Sequence, residues 1–206
     1  MINITADEAF ERVQLILHDV PRGAEKALYG IISRATTTIK KESISGITTI
    51  YDISPGAVKE HTAIKTKTKK VNDGVIGTID YSGVRIPLFR FRVSHKSPRS
   101  NAPVTARQRR DRANARFQDA FIARMRSGHV GIFRRVPGTR MRPGHRINVS
   151  GRSKHAEEIV EIMAVSAAQM ADDSGVLRKV DKAAQETIVK RTEHEISRIL
   201  QGFGVR

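Results

Sequence analysis

The sequence predicts an α+β fold: N-terminal helices, an antiparallel β meander and hairpin sheet, a long C-terminal helix, and an extended Arg-rich loop. Three observations predict it. Apolar residues recur at the helical period near both ends of the chain. The period switches to two from Thr62 onward. The turn signals Asn72-Asp73-Gly74, Ser82-Gly83 and Ser127-Gly128 punctuate the middle. At 206 residues the chain is read as one domain, 1–206. Its parts are a helical 1–60, a β-rich 61–150 holding an Arg-rich excursion at 94–116, and a 151–206 of extended segment plus long helix. A chain of this length buries a core without covalent staples.

Thr5 caps a first helix, with Glu8 at the capping-box spacing. Ala6, Ala9, Phe10, Val13, Ile16 and Leu17 form its apolar stripe, and Asp19-Val20-Pro21 ends or kinks it. A second helix is predicted from Pro21 to Ser43, striped by Ala24, Ala27, Leu28, Ile31, Ile32, Ala35 and Ile39. Ile44 to Ile53 is β-branched and uncharged until Asp52. Ser54-Pro55 starts a short helical turn that runs through Glu60.

Thr62 to Lys69 alternates as a half-exposed strand with Lys and Thr outward. Val75–Tyr81 and Val84–Val93 complete the meander. Arg85, Arg90 and Arg92 alternate with Ile86, Phe89 and Phe91, and Pro87 marks a bulge or an edge. Ser94 to Ala115 is polar, with two prolines and almost no apolar anchor. It reads as a long excursion between strands, with a helical turn in Thr105–Ala115. A long loop of this kind is either functional or disordered until it meets a partner.

Phe117 to Val136 reads as a β-hairpin. Apolar side chains recur at roughly every second position on each arm: Phe117, Ala120, Ile122 and Met125 going up, Val130, Ile132 and Val136 coming back. Gly128 supplies the positive φ of the turn. A helix over 117–126 is the alternative, but Gly128 and Gly131 would break its continuation. Pro137 to Gly144 is turn-rich, and Ile147-Asn148-Val149 is a short strand. Glu157 to Val165 is ambiguous: Ile159, Ile162 and Met163 fit a helix, while the β-branched content fits an extended segment. Ser166 or Asp173 caps the last helix, which ends at Gln201 before Gly202. Its apolar stripe is Leu177, Val180, Ala184, Ile188, Ile196, Ile199 and Leu200. Asp181, Glu186, Lys190, Arg191 and Glu195 are expected to face out.

The net charge of +16 is concentrated. From Val84 to Arg146 seventeen Lys or Arg stand against Asp111 and Asp119 alone, so this segment holds fifteen of the sixteen excess charges. Sixteen of the seventeen are Arg, which favours pairing with carboxylate or phosphate over simple solubility. The segment is expected to face an acidic partner, either nucleic acid or a protein surface.

Little points to chemistry. With no Cys there is neither a disulfide nor a thiolate metal site. None of the seven His has a zinc-like spacing, and His129 in the hairpin turn reads as structural. There is no nucleophile elbow, P-loop or dinucleotide fingerprint. Neither an enzyme nor a cofactor is predicted. MINITADEAF is not a signal peptide, and no run approaches the length of a membrane span. Trp is absent and aromatics are few, which speaks against base-stacking platforms.

The segment AFIARMRSGHVGIFRR, a Pro/Gly/Arg turn, and then EEIVEIMAVSAAQMADD before a terminal helix resemble the minor tail protein Z family of lambda-like bacteriophages, also called tail completion proteins. PRGAEKALYGIISRATTTIKKE resembles the family's Ala-rich first helices, and RIPLFRFRV matches in position and character. The likeness covers most of the chain but not the Arg-rich excursion. It implies a virion structural protein at the head-proximal end of the tail, part of the neck or head–tail connector, assembled in the host cytoplasm. It also implies a ring, commonly sixfold, next to a tail terminator and head-completion or adaptor proteins. It favours an extended Glu157–Val165.

Nine residues are singled out as facing either a protein interface or DNA: Arg107, Arg109, Arg110, Arg112, Arg116, Arg124, Arg126, Arg134 and Arg135. The hairpin residues among them are assigned to protein contacts. The loop residues Arg107 to Arg116 are assigned to the channel lumen, where contact with genomic DNA would be sequence-independent. A cellular nucleic-acid-binding module, ribosome- or DNA-associated, is the competing reading. An enzyme acting on nucleic acid ranks below both.

Overall fold

The computed structural model describes residues 7–71, 74–98, 102–139, 148–149, 152–153 and 157–202. It is α+β, as the sequence predicts, and two long helices carry it. α1 (Asp7–Leu17) precedes α2 (Gly23–Ile50), and α5 (Ser174–Leu200) closes the chain. Thr5, the expected cap of α1, lies outside the described residues. α2 and α5 pack antiparallel: Gly46 near the end of one meets Val176 near the start of the other, and Gly23 meets Ile199. One apolar cluster joins Val13 and Leu17 of α1 to Ile31, Ile188, Ile196 and Ile199. A larger one joins the far halves of α2 and α5 to the sheets through Ile47, Ile86, Leu88, Val104, Ile132 and Val180. No described helix is long and apolar enough to cross a membrane.

The second helix was expected to end at Ser43 and instead continues to Ile50. Packing overrides β-branched propensity here. Ile47 is fully buried. The hydroxyls of Ser43, Thr48 and Thr49 donate to the carbonyls of Ile39, Ile44 and Ser45, so they need no partner outside the helix. The last helix departs from its expected faces in three places. Val176, not Leu177, enters the core. Leu200 is exposed, and Glu195, expected outward, is buried and pairs with Arg198 at 2.7 Å. Gly30 of α2 makes the room: a Cβ there would lie 3.0 Å from the Glu195 carboxylate carbon.

α3 (Pro55–His61) follows the Ser54 cap and leads into β1 (Thr62–Val71), which pairs with β2 (Gly74–Gly83) along its whole length. Residues 72–73 of the predicted turn lie outside the described residues. The hairpin lies on α2. Gly77 sits so close that a Cβ would stand 2.6 Å from Thr36 Cγ2 and 2.7 Å from Ile32 Cγ2.

The predicted meander stops there. Ser82-Gly83 is still paired with Ala63 and Thr62, so it is not a turn. The third strand, expected over Val84–Val93, splits into β3 (Arg85–Pro87), a 3-10 turn (Leu88–Arg90) and β4 (Arg92–Val93). Pro87 has no N–H for a ladder, and the chain turns immediately after it. Neither piece pairs with β2. β4 pairs with β5 (Val104–Arg107), which pairs with β6 (Ala115–Phe117). The predicted helical turn in Thr105–Ala115 is therefore replaced by a strand that buries Val104 and Ala106.

β7 (Ala120–Arg124) and β8 (Val130–Arg135) form the predicted hairpin. β9 (Asn148–Val149) pairs with β10 (Arg152–Ser153). β11 (Ile159–Glu161) joins β8, and β12 (Met163–Ser166) joins β3, so Glu157–Val165 is extended. Ser166 and Asp173 both serve as caps, the first on α4 (Ala167–Ala171) and the second on α5.

Candidate functional site

The hairpin registers Ile122 against Ile132 and Phe121 against Phe133. Strand alternation sends these pairs to opposite faces. Ile122 and Ile132 enter the main core. Gly128 turns the chain at φ 87°, and the Met125 N–H donates to the His129 carbonyl at 2.7 Å. β11 extends the sheet with the Val136 N–H donating to the Glu158 carbonyl at 2.9 Å. On the outer face the rings of Phe121 and Phe133 lie 6.3 Å apart, with the Arg135 guanidinium 5.5 Å from the Phe121 centroid. His129 stands edge-on to Phe133 at 6.2 Å, and its Nε2 lies 2.9 Å from Glu161 Oε1. His129 therefore has a structural place.

The nine predicted arginines separate into two groups. Arg107, Arg109 and Arg110 are engaged inside the molecule. Asp52 accepts Nε and Nη2 of Arg107 on one oxygen, at 2.8 and 2.6 Å. Its other oxygen lies 3.4 Å from Arg110 Nη1, and Arg110 Nε donates to the Thr48 carbonyl at 3.2 Å. Arg109 pairs with Asp173, takes both oxygens of Asp111 at 3.0 Å, and stacks over Tyr51 at 5.3 Å. The backbone follows the same line: Asp52 N–H to the Gln108 carbonyl and Arg110 N–H to the Ile50 carbonyl, both 2.8 Å. These contacts tie the strand following β4 to the end of α2 and the start of α5.

The electrostatics of this clamp centre on Arg109. Its hydrogen bond holds the Asp173 carboxyl below the usual carboxylate range against the opposing effect of burial, and the same cause lowers Asp111. The Tyr51 phenol is raised, first by burial and then by the Asp173 charge. Sequence reading did not find Tyr51, Asp52 or Asp173 as partners. The one signal for Asp52 was a carboxylate ending a long uncharged run.

The other six differ. Arg112, Arg116, Arg124, Arg126 and Arg134 are exposed and form no ion pair among the described residues; Arg135 is exposed and lies over Phe121. Arg124 and Arg134 sit on the hairpin face that carries Ile122 and Ile132, at its two exposed ends. Arg116 is on β6 opposite Thr105, and Arg112 is in the preceding loop. This surface can attract carboxylates or phosphates. Among the described residues no three His, Asp or Glu side chains converge as metal ligands would.

Comparison of the chain with family models, with characterised proteins and with solved structures gives no match.

Proposed function

We propose that this chain is a structural protein of a tailed bacteriophage virion, a tail-completion subunit in the head–tail connector ring. One observation carries the reading. The stretch that resembles the tail protein Z family, AFIARMRSGHVGIFRR, is a sheet anchored in the core whose exposed Arg124, Arg126 and Arg134 form no ion pair among the described residues. An anchored basic surface suits a subunit that docks on acidic neighbours. Arg favours such contacts because its planar fork engages a carboxylate with two hydrogen bonds. The partners under this reading are further copies of the chain in a ring, most simply sixfold, a tail terminator and a head-completion or adaptor protein. No cofactor and no catalysis are involved.

The experiment is electron microscopy of particles assembled with a tagged chain. The tag should appear as a symmetric ring at the head–tail joint. A combined Arg124→Glu, Arg126→Glu, Arg134→Glu variant should fold yet fail to yield infectious particles. Normal yields, or turnover of a substrate by the purified chain, would overturn the reading. The same exposed arginines favour one rival, a cellular nucleic-acid-binding module. That protein would hold micromolar or tighter affinity for duplex DNA near physiological salt without any tail partner, the strong end of ordinary non-specific binding.

A further inference from the structure

The β1–β2 hairpin carries a second basic surface, separate from the arginines. Its register places Lys65 opposite Asp80, Lys67 opposite Thr78 and Lys69 opposite Ile76. The alternate positions, Thr68 opposite Gly77 and Ile64 opposite Tyr81, face α2: Gly77 abuts Thr36 and Ile32, and Tyr81 hydrogen-bonds Ser43. So Thr66 and Thr68 of β1 lie on the α2 side, and Lys65, Lys67 and Lys69 lie on the side turned from the body. Each is exposed, and none forms an ion pair among the described residues. Lys70 is different: it is on the α2 side and is engaged with Glu25 at 2.7 Å. Asp80, at one end, is the one described carboxylate on the lysine face.

We propose that this face is a sequence-independent binding surface for a nucleic-acid backbone, with Lys65, Lys67 and Lys69 each neutralising one phosphate. Alternate residues of a strand advance about 7 Å, so the three ammonium groups root in a straight row about 14 Å long. A sugar–phosphate chain presents its charges in the same kind of regular row. The choice of residue separates this partner from an acidic protein. Protein interfaces are depleted in Lys, whereas a flexible point charge suits phosphates approached without fixed geometry. Among the described residues the face offers two large apolar side chains, Val71 and Ile76, both at the turn end and away from Lys65, too little for the desolvated centre of a protein interface. This inference does not rest on the virion reading.

The test compares the full chain with a Lys65→Thr, Lys67→Thr, Lys69→Thr variant, Thr being a good strand former. Circular dichroism and light scattering establish that the variant is folded and in the same assembly state. Binding of a labelled mixed-sequence duplex and of its single strand is then titrated over about 50–200 mM salt. Losing three phosphate contacts should lower the log–log salt slope by about 2.7 on the duplex and about 2.1 on the single strand. Over that range the duplex affinity of the unaltered chain should fall about 40-fold more than that of the variant. An Arg116→Gln, Arg124→Gln, Arg134→Gln variant serves as a reference for the other basic surface. Equal slopes for the full chain and the lysine variant would overturn the proposal, whatever happens at the arginines. So would an equal loss of binding to a polyglutamate probe, which would make the row a receptor for any acidic polymer. So would self-association of the lysine variant, since the lysines would then be guarding open strand edges.

Discussion

Exchange of a single arginine should separate the two groups that the structure distinguishes. Arg109→Gln removes a guanidinium whose side chain is 25% exposed, paired with an Asp173 side chain that is 15% exposed. What is lost is a charged hydrogen bond to Asp173, worth about 1.5–3 kcal/mol, and stacking on Tyr51, worth about 0.5–1 kcal/mol. Partial exposure discounts both, which leaves a destabilisation of about 2 kcal/mol. For a chain of this size that lowers the melting temperature by about 4–8 °C. Arg134→Gln removes an exposed side chain without an ion pair among the described residues, so it should stay within about 0.5 kcal/mol. Thermal and urea unfolding followed by circular dichroism read both. If the two variants melt together, the clamp is not holding the end of α2 to the start of α5, and the division of the arginines is wrong.

Three further outcomes follow from the same geometry. Asp173 has a lowered folded-state value, so its contribution is present above the unfolded carboxylate value of about 3.9 and is lost as pH falls through the folded one. Acid unfolding of the native chain should therefore steepen below about pH 4, and Arg109→Gln should flatten that part of the profile. Gly77→Ala places a methyl against Ile32, which has one strongly preferred rotamer on a helix, and against Thr36, whose hydroxyl is held by the Ser33 carbonyl at 2.9 Å, so the hairpin should lift from α2 at about 1–3 kcal/mol; amide exchange over β1 and β2 should rise more than over α5. Ile132→Ala empties a fully buried site in the arginine hairpin and should cost about 2–5 kcal/mol in chemical denaturation, with the loss of a uniquely packed β8 visible in methyl spectra.

How far the sequence could be read depended on how far away each residue's partner lies. The hairpin was legible because its two arms are neighbours and alternate around Gly128. The long last helix was legible from its own stripe and from Gly202, which has φ 81°. The continuation of α2 through Ile44–Ile50 was not, because its reason, contact between Gly46 and Val176, lies far along the chain. The broken third strand failed likewise: β3 and β4 take their partners from β12 and β5, not from the adjacent β2. In the Arg-rich excursion, Val104 and Ala106 carried a period-two signal of only two residues, and the surrounding charge hid it.

The arginines make the same point most sharply. Counted along the chain, their segment has fifteen unanswered charges. In space, Asp52 and Asp173 come to Arg107 and Arg109 from 55 and 64 residues away and answer them. A carboxylate at that separation carries no local mark that it belongs to a particular guanidinium, so composition overstated the field of the loop. It described the hairpin better, since no comparable acid reaches Arg124, Arg126 or Arg134 among the described residues. An acidic partner, if this chain has one, is therefore to be sought where the arginines remain unanswered after folding, on the β7–β8 sheet and at Arg112 and Arg116, and not at Arg107 to Arg110.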